Sequence, residues 1–258
     1  LHRVEGSGEI QPGHDRPLRL GLGRPEDVQR LVSNLRQISA VVSRDVEELI
    51  AKAKKALDGV SAVIVPGGFG QRGVEGKIRC VKWARTNKVP FLGICLGFQM
   101  AVIEYGRNVL GLAGANSTEF EPNCAHPLIA ELPDQKKLEG IMGATMRLGG
   151  QEVALDSGSL SSFLYGGKTE MRERFRHRFE VEPAYVAQLQ AAGLRFSGRH
   201  PKYPIMQMLE LPQSLHPYFT GGQFHPELTS RPLAPNPMFM GLIAAAIAII
   251  TRSPSPSP

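Results

Sequence analysis

Val89-Pro-Phe-Leu-Gly-Ile-Cys-Leu-Gly-Phe-Gln99 passes from a wholly apolar run into a helical stretch, with a cysteine at the joint. The run Val89 to Ile94 lacks polar alternation and reads as a strand buried on both faces of a parallel sheet. Helical residues begin at about Leu96. Gly93 and Gly97 stand two positions either side of Cys95. Small residues there permit the tight turn that lifts a nucleophilic side chain above the sheet. The helix N-terminus just beyond it supplies partial positive charge, which favours thiolate over thiol. Free cysteines are commonly inert core residues, and the paired glycines set this one apart.

The same alternation extends outward. Val60-Ser-Ala-Val-Ile-Val65 is a second β-branched run that stops abruptly at Pro66-Gly-Gly-Phe-Gly70, and a helix is expected from about Glu75 to Asn87. Strand, helix, strand, helix predicts an α/β fold with a mostly parallel open sheet covered on both faces. Upstream, spacing predicts a helix over Pro25 to Gln37, a short strand over Ile38 to Ser43, and a helix over Asp45 to Leu57 closed by Asp58-Gly59. From about Leu148 to Leu211 the pattern is irregular, with one helix over Pro183 to Ala192. Residues 1 to 17 read as a loose tail, 18 to 250 as one domain, and the Ser-Pro repeat of 251 to 258 as disordered.

Composition narrows the class. In 258 residues, apolar content of 42% and charged content of 21% describe an ordinary globular protein. Lys and Arg number 30 against 24 Asp and Glu, but the excess is spread along the chain. The densest basic run, Arg172 to Arg178, comes without any recognised nucleic-acid motif, so no nucleic-acid partner is expected. Three cysteines, Cys80, Cys95 and Cys124, fit neither a disulfide framework nor paired metal spacing. The apolar run Met238 to Ile250 is 13 residues long, short of the roughly 20 that span a bilayer. It reads as a terminal core helix. A cytoplasmic setting, without a signal peptide or membrane anchor, is the expectation.

A thiol nucleophile needs a base, and the base an orienting group. Gln223-Phe-His-Pro-Glu227 provides both: in extended chain His225 and Glu227 share a face, with Pro226 stiffening the turn between them. Acyl transfer also needs donors at the developing oxyanion. The backbone N–H groups of Gly68, in the glycine loop, and Leu96, next to the cysteine, form a suitable pair.

Six stretches carry a resemblance to a known family. Val65-Pro-Gly-Gly-Phe-Gly-Gln-Arg-Gly-Val-Glu-Gly-Lys77, Pro90-Phe-Leu-Gly-Ile-Cys-Leu-Gly-Phe-Gln99, Asn116-Ser-Thr-Glu-Phe120, Thr145-Met-Arg-Leu-Gly149, Arg176-His-Arg-Phe-Glu-Val181 and Gln223-Phe-His-Pro-Glu-Leu-Thr-Ser-Arg-Pro232 occur in the family's order over about residues 58 to 245. They resemble the glutaminase domain of CTP synthases, within the class I or triad glutamine amidotransferases. The resemblance implies a flavodoxin-like core and a triad of Cys95, His225 and Glu227. It also implies an oxyanion hole at Gly68 and Leu96, and contacts from Gly68, Gln99, Glu119 and Arg178 to L-glutamine. No cofactor is implied for this chain; ATP, Mg and GTP belong to the reaction of a separate synthetase domain or full-length subunit, the expected partner. Phe98, Phe175, Phe179 and Ala144 depart from the family's usual residues, and residues 1 to about 37 do not match its first strand. Two alternatives use the same residues: an inactive regulatory relative, or an independent cysteine hydrolase acting on γ-glutamyl compounds.

Overall fold

The computed structural model describes residues 55–132 and 146–252. The elements expected over Pro25 to Gln37 and Ile38 to Ser43, both chain termini, and all but the last turn of the helix expected over Asp45 to Leu57 lie outside the described residues.

The parallel part of the sheet forms where the apolar runs predict it. Strand β1 (Val63–Val65) pairs parallel with β2 (Phe91–Ile94), with Val65 opposite Gly93. Strand β10 (Phe219–Gly222) pairs parallel on the other side of β2, with Gly222 opposite Ile94. Between β1 and β2 runs helix α1 (Val74–Thr86), whose buried Val74, Ile78, Val81 and Ala84 follow helical spacing. Helix α2 (Leu96–Asn108) follows Cys95 directly and is buried from Leu96 through Gly106. The two helices are tied by a bidentate ion pair, Arg85 Nε and Nη2 donating to Glu104 at 2.8 and 2.7 Å. Glu104 has no exposed surface, and such a desolvated carboxylate needs both bonds.

Beyond β10 the sheet turns antiparallel. Strands β9 (Met206–Glu210), β8 (Arg195–Arg199), β5 (Arg147–Leu155) and β6 (Glu170–His177) continue it in the order β1-β2-β10-β9-β8-β5-β6. The α/β fold predicted from sequence is therefore built on a mixed sheet among the described residues. Its parallel end carries the elbow; its antiparallel end is the stretch that reads as irregular. The β5–β6 hairpin keeps an unbroken register from Arg147 opposite His177 to Ala154 opposite Glu170. The β5 strand reads irregularly because Gly149 and Gly150 interrupt it, and Leu148 is 52% exposed.

A second, three-stranded sheet was not legible in the sequence: β3 (Ala115–Ser117), β4 (His126–Ala130) and β7 (Glu180–Val181), with β4 central. Helix α3 (Leu160–Leu164) is capped by the Ser159 hydroxyl and by the buried Glu210 carboxylate, which accepts from Leu160 and Ser161 N–H at 3.0 Å each. Helix α4 (Pro183–Ala191) and helix α5 (Pro237–Arg252) match the two helices read from the sequence. In α5, Met238, Leu242 and Ala246 face the core. No helix among the described residues is long and apolar enough to cross a membrane.

Candidate active site

The three parallel strands β1, β2 and β10 end at one edge, where open α/β sheets place their sites. Their continuations are the glycine loop, Cys95, and the segment Gln223 to Glu227. The ladder runs one step past β2: Cys95 N–H donates to Gly222 C=O at 2.8 Å. Cys95 itself sits at φ 50°, ψ −100°, a conformation that costs a non-glycine residue on the order of 1–3 kcal/mol. The flanking glycines make the turn possible. A Cβ on Gly97 would lie 1.9 Å from Val65 O, and one on Gly93 would lie 2.7 Å from Gly97 C and O. Both obstacles are backbone and cannot swing aside.

His225 and Glu227 meet, though not as extended chain. Pro226–Leu228 is a single 3₁₀ turn, and this turn brings Glu227 Oε1 to 2.6 Å from His225 Nδ1. Proline pre-sets the φ of that turn, so the expected extended geometry gives way to a helical one. The contact fixes Nδ1 as the protonated nitrogen and leaves Nε2 free for chemistry. His225 Nε2 is buried without an acceptor in ordinary hydrogen-bond geometry. The imidazole interacts with the Cys95 side chain. That interaction first, and the Glu227 carboxylate second, raise the imidazole pKa to about 10 against the opposing effect of burial. Burial disfavours the Glu227 carboxylate, but the bond from His225 outweighs it and the pKa falls below the ordinary value. The arrangement favours the imidazolium form of His225 beside the Cys95 sulfur.

Strand β6 closes the site from the far end of the sheet, which curls to bring it there. Its Arg174 C=O accepts from His225 N–H at 2.8 Å, and its Arg176 C=O lies 3.9 Å from Cys95 Sγ. The segment carrying His225 is also held from below. Glu173, 3% exposed, accepts from Tyr165 OH at 2.9 Å, Asn236 Nδ2 at 2.6 Å and Thr229 Oγ1 at 2.8 Å. Burial and this carboxylate push the Tyr165 phenol well above its ordinary pKa, so it remains a donor. Thr229 shares its single hydroxyl hydrogen with Pro226 C=O at 3.1 Å, so the buried carboxylate tethers the His225–Glu227 turn to β6.

Of the other residues named from sequence, Gly68, Leu96, Gln99 and Glu119 connect to this centre through the glycine loop, α2 and Gln223. Gly68 lies against Leu96, whose Cδ2 would be 3.3 Å from a Cβ on Gly68. Leu96 occupies the first turn of α2, where N–H groups have no intrahelical acceptor. Glu119 is bound to the glycine loop, its Oε1 accepting from Gly70 N–H at 2.8 Å. Gln71 Nε2 donates to Phe120 C=O beside it. Arg178, half exposed, has Nε 3.6 Å from Glu131 Oε1. Gln99 is 3% exposed and gives both amide hydrogens to protein acceptors, Phe179 C=O at 3.0 Å and Gln223 Oε1 at 3.1 Å. Of the family departures, Phe175 packs edge-on to Phe224 with ring centroids 5.7 Å apart, and Phe98 is fully buried. Both act as core residues.

Three residues escaped the sequence reading. A Cβ on Gly67 would meet His225 Cε1 at 2.8 Å and Cys95 Cβ at 3.5 Å, so Gly67 keeps the space between the two side chains open. Gln223 and Glu173 are buried polar groups whose partners lie far away in sequence; only the motif context of Gln223 marked it.

Residues 27–245 match the class-I glutamine amidotransferase family, and the chain belongs to it. Within that family it is similar to CTP synthases. It is 49% identical over 209 residues to the enzyme of Bifidobacterium longum and 52% identical over 209 residues to that of Methanopyrus kandleri. The chain spans 38% of the length of each of these relatives. The structure is also similar to the solved glutaminase domain of Trypanosoma brucei CTPS with bound acivicin. TM-score is 0.72 and identity 35%, covering 86% of this chain and 88% of that one.

Proposed function

We propose that this chain hydrolyses L-glutamine to glutamate and ammonia through a thioester on Cys95, and that the ammonia serves a CTP synthase reaction. The observation that carries the proposal is the thiol on a strained elbow beside an imidazole whose other nitrogen is 2.6 Å from Glu227. The Cys95 thiolate attacks the side-chain amide carbon, and the N–H groups of Gly68 and Leu96 receive the oxyanion. His225 gives its proton to the amide nitrogen, the C–N bond breaks and ammonia departs. Neutral His225 then takes a proton from water, whose oxygen attacks the thioester. The C–S bond breaks, releasing glutamate and restoring the thiolate–imidazolium pair. Glu119 and Arg178 suit the α-ammonium and α-carboxylate of the substrate, and Gln99 offers its remaining amide oxygen.

In the same proposal a synthetase domain outside this sequence aminates ATP-activated UTP to CTP in the cytoplasm, with Mg and GTP acting there. The described residues contain no cluster of three or more His, Cys, Asp or Glu side chains able to hold a metal, and no step above is routed through one. The test supplies amide-¹⁵N glutamine, UTP, ATP and Mg²⁺ to the chain with the synthetase domain of a relative. Glutamate release that Cys95→Ala abolishes, with ¹⁵N entering CTP, is expected. Glutamate release unaffected by Cys95→Ala contradicts the mechanism. Label confined to free ammonia contradicts the coupling.

A further inference from the structure

We infer that Gln223 is a second, non-titrating partner of the Cys95 sulfur, its carboxamide donating a hydrogen bond that holds the thiolate alongside His225. The side chain has no exposed surface, and its Nε2 lies 3.6 Å from Cys95 Sγ. That is hydrogen-bonding distance for a sulfur acceptor.

The orientation of this amide follows from its neighbours. Gln99 directs one N–H to Phe179 C=O, which can only accept, and this fixes which end of the Gln99 amide is the donor. The second N–H of Gln99 meets Gln223 Oε1 at 3.1 Å. Turning Gln223 over would set two NH₂ groups against each other in a buried site, leaving unsatisfied donors that cost about 1–3 kcal/mol each. The NH₂ end of Gln223 therefore faces the sulfur. Its backbone is fixed as well, since Gln223 N–H donates to Gln207 C=O at 2.9 Å.

The sulfur needs such a donor. Arg176 C=O lies 3.9 Å away, where it accepts from a thiol but repels a thiolate. The charged groups near Cys95 are His225 with Glu227 and, from α1, Lys77, whose Nζ is 4.0 Å from a Cβ built on Gly68. The side chains of Arg174 and Arg176 on β6 are exposed. All of these are retained in the variants below. A neutral amide holds thiolate at any pH, whereas His225 does so only while protonated. The motif Gln223-Phe-His225 thus sends two residues to the sulfur and Phe224, fully buried, into the core beside Phe175.

This inference rests on Cys95 being the nucleophile, but its test reads the sulfur without glutamine. The rate of thiol–disulfide exchange at Cys95 with 4,4′-dithiodipyridine is followed against pH by mass spectrometry in the wild-type chain and in Gln223→Leu. A lost hydrogen bond to a charged group moves the profile up by about one pH unit. Nucleophilicity rises with basicity at a Brønsted slope of roughly 0.45, so the high-pH plateau rises about threefold while the low-pH rate falls about threefold. The two profiles cross. Gln223→Glu, of the same size, gives a larger crossing in the same direction and replaces the leucine variant if that does not fold. Gln99→Leu frees Gln223 without touching the sulfur and gives a smaller one. Superimposable profiles, or a rate lowered equally at every pH, overturn the inference. Glutaminase activity absent from the wild-type chain would instead count against the proposed function and leave these profiles readable.

Discussion

Replacing Glu173 separates the support of the site from its chemistry, because this buried carboxylate touches neither Cys95 nor His225. In Glu173→Leu the phenol of Tyr165 loses its acceptor, a desolvation cost of about 1–3 kcal/mol. Asn236 Nδ2 keeps only its 3.3 Å contact to Thr229 Oγ1, and the Thr229 hydroxyl donates only to Pro226 C=O. Those two lost bonds to a charged acceptor are worth roughly 1.5–3 kcal/mol each. The combined loss, discounted because neighbours couple, is about 4 kcal/mol, a large fraction of a domain's usual 5–15 kcal/mol. Glu173→Gln behaves differently. Its carbonyl still accepts from Tyr165 and Asn236, while Thr229 turns its hydroxyl wholly to Pro226 and accepts from the new NH₂. The expected cost is about 1–2 kcal/mol. Urea unfolding gives the stabilities, and kcat/KM for glutamate release gives the consequence for the His225–Glu227 turn. Activity is expected to fall at least tenfold in the leucine variant under conditions where it is folded, and less than threefold in the glutamine variant. Equal stability of the leucine variant and wild type, or equal activity losses in both variants, would refute the tether.

Further outcomes follow from the same geometry. His225 is raised to about 10, so the stability from its charged form is fully present below the unfolded value of about 6.5 and is lost as pH rises through about 10. Glu227→Gln removes one of its two supports; the alkaline limb of kcat/KM and the imidazole titration followed by NMR are expected to move down by about one to two pH units. Gly97→Ala drives a methyl into the Val65 carbonyl, and urea denaturation should show a loss of about 3 kcal/mol, whereas Gly68→Ala meets only the flexible ends of Leu96 and Lys77 and should cost about 1 kcal/mol or less. Burial raises the Cys80 thiol to about 11 from 9.0, so disulfide exchange at Cys80 near neutral pH should be about tenfold slower than at an exposed cysteine, the loss of thiolate being partly offset by its higher nucleophilicity. Comparable rates would contradict that burial.

Much of the site was legible because its parts are local. The elbow is written into five consecutive residues, Gly93 to Gly97, and the His–Glu pair into three, a weak signal alone that gains its meaning beside the elbow. The parallel strands β1 and β2 are short apolar runs that only a buried sheet accommodates. What the sequence concealed depends on distant pairing. Strand β6 alternates exposed arginines with buried Met171, Glu173, Phe175 and His177. The arginines suggest a solvated or anion-binding run, although half of the strand is core. Glu180 shows the same effect. Burial opposes its charge, yet His177 and Arg147 hold its carboxyl below the ordinary range, and neither partner could be chosen from spacing. The 3₁₀ turn at Pro226 gives a different local geometry for a contact the sequence did anticipate. The three-stranded sheet β3-β4-β7 was missed because its strands are two to five residues long and contain Asn116 and Pro127, residues that propensity places in turns.

Covalent capture by a diazoketone analogue of glutamine, mapped by mass spectrometry on the full chain, tests the assignment of Cys95 most directly. The geometry predicts a single adduct on Cys95 that glutamine protects against and that Cys95→Ala eliminates. No adduct, or one carried by Cys80 or Cys124 and indifferent to glutamine, would contradict it.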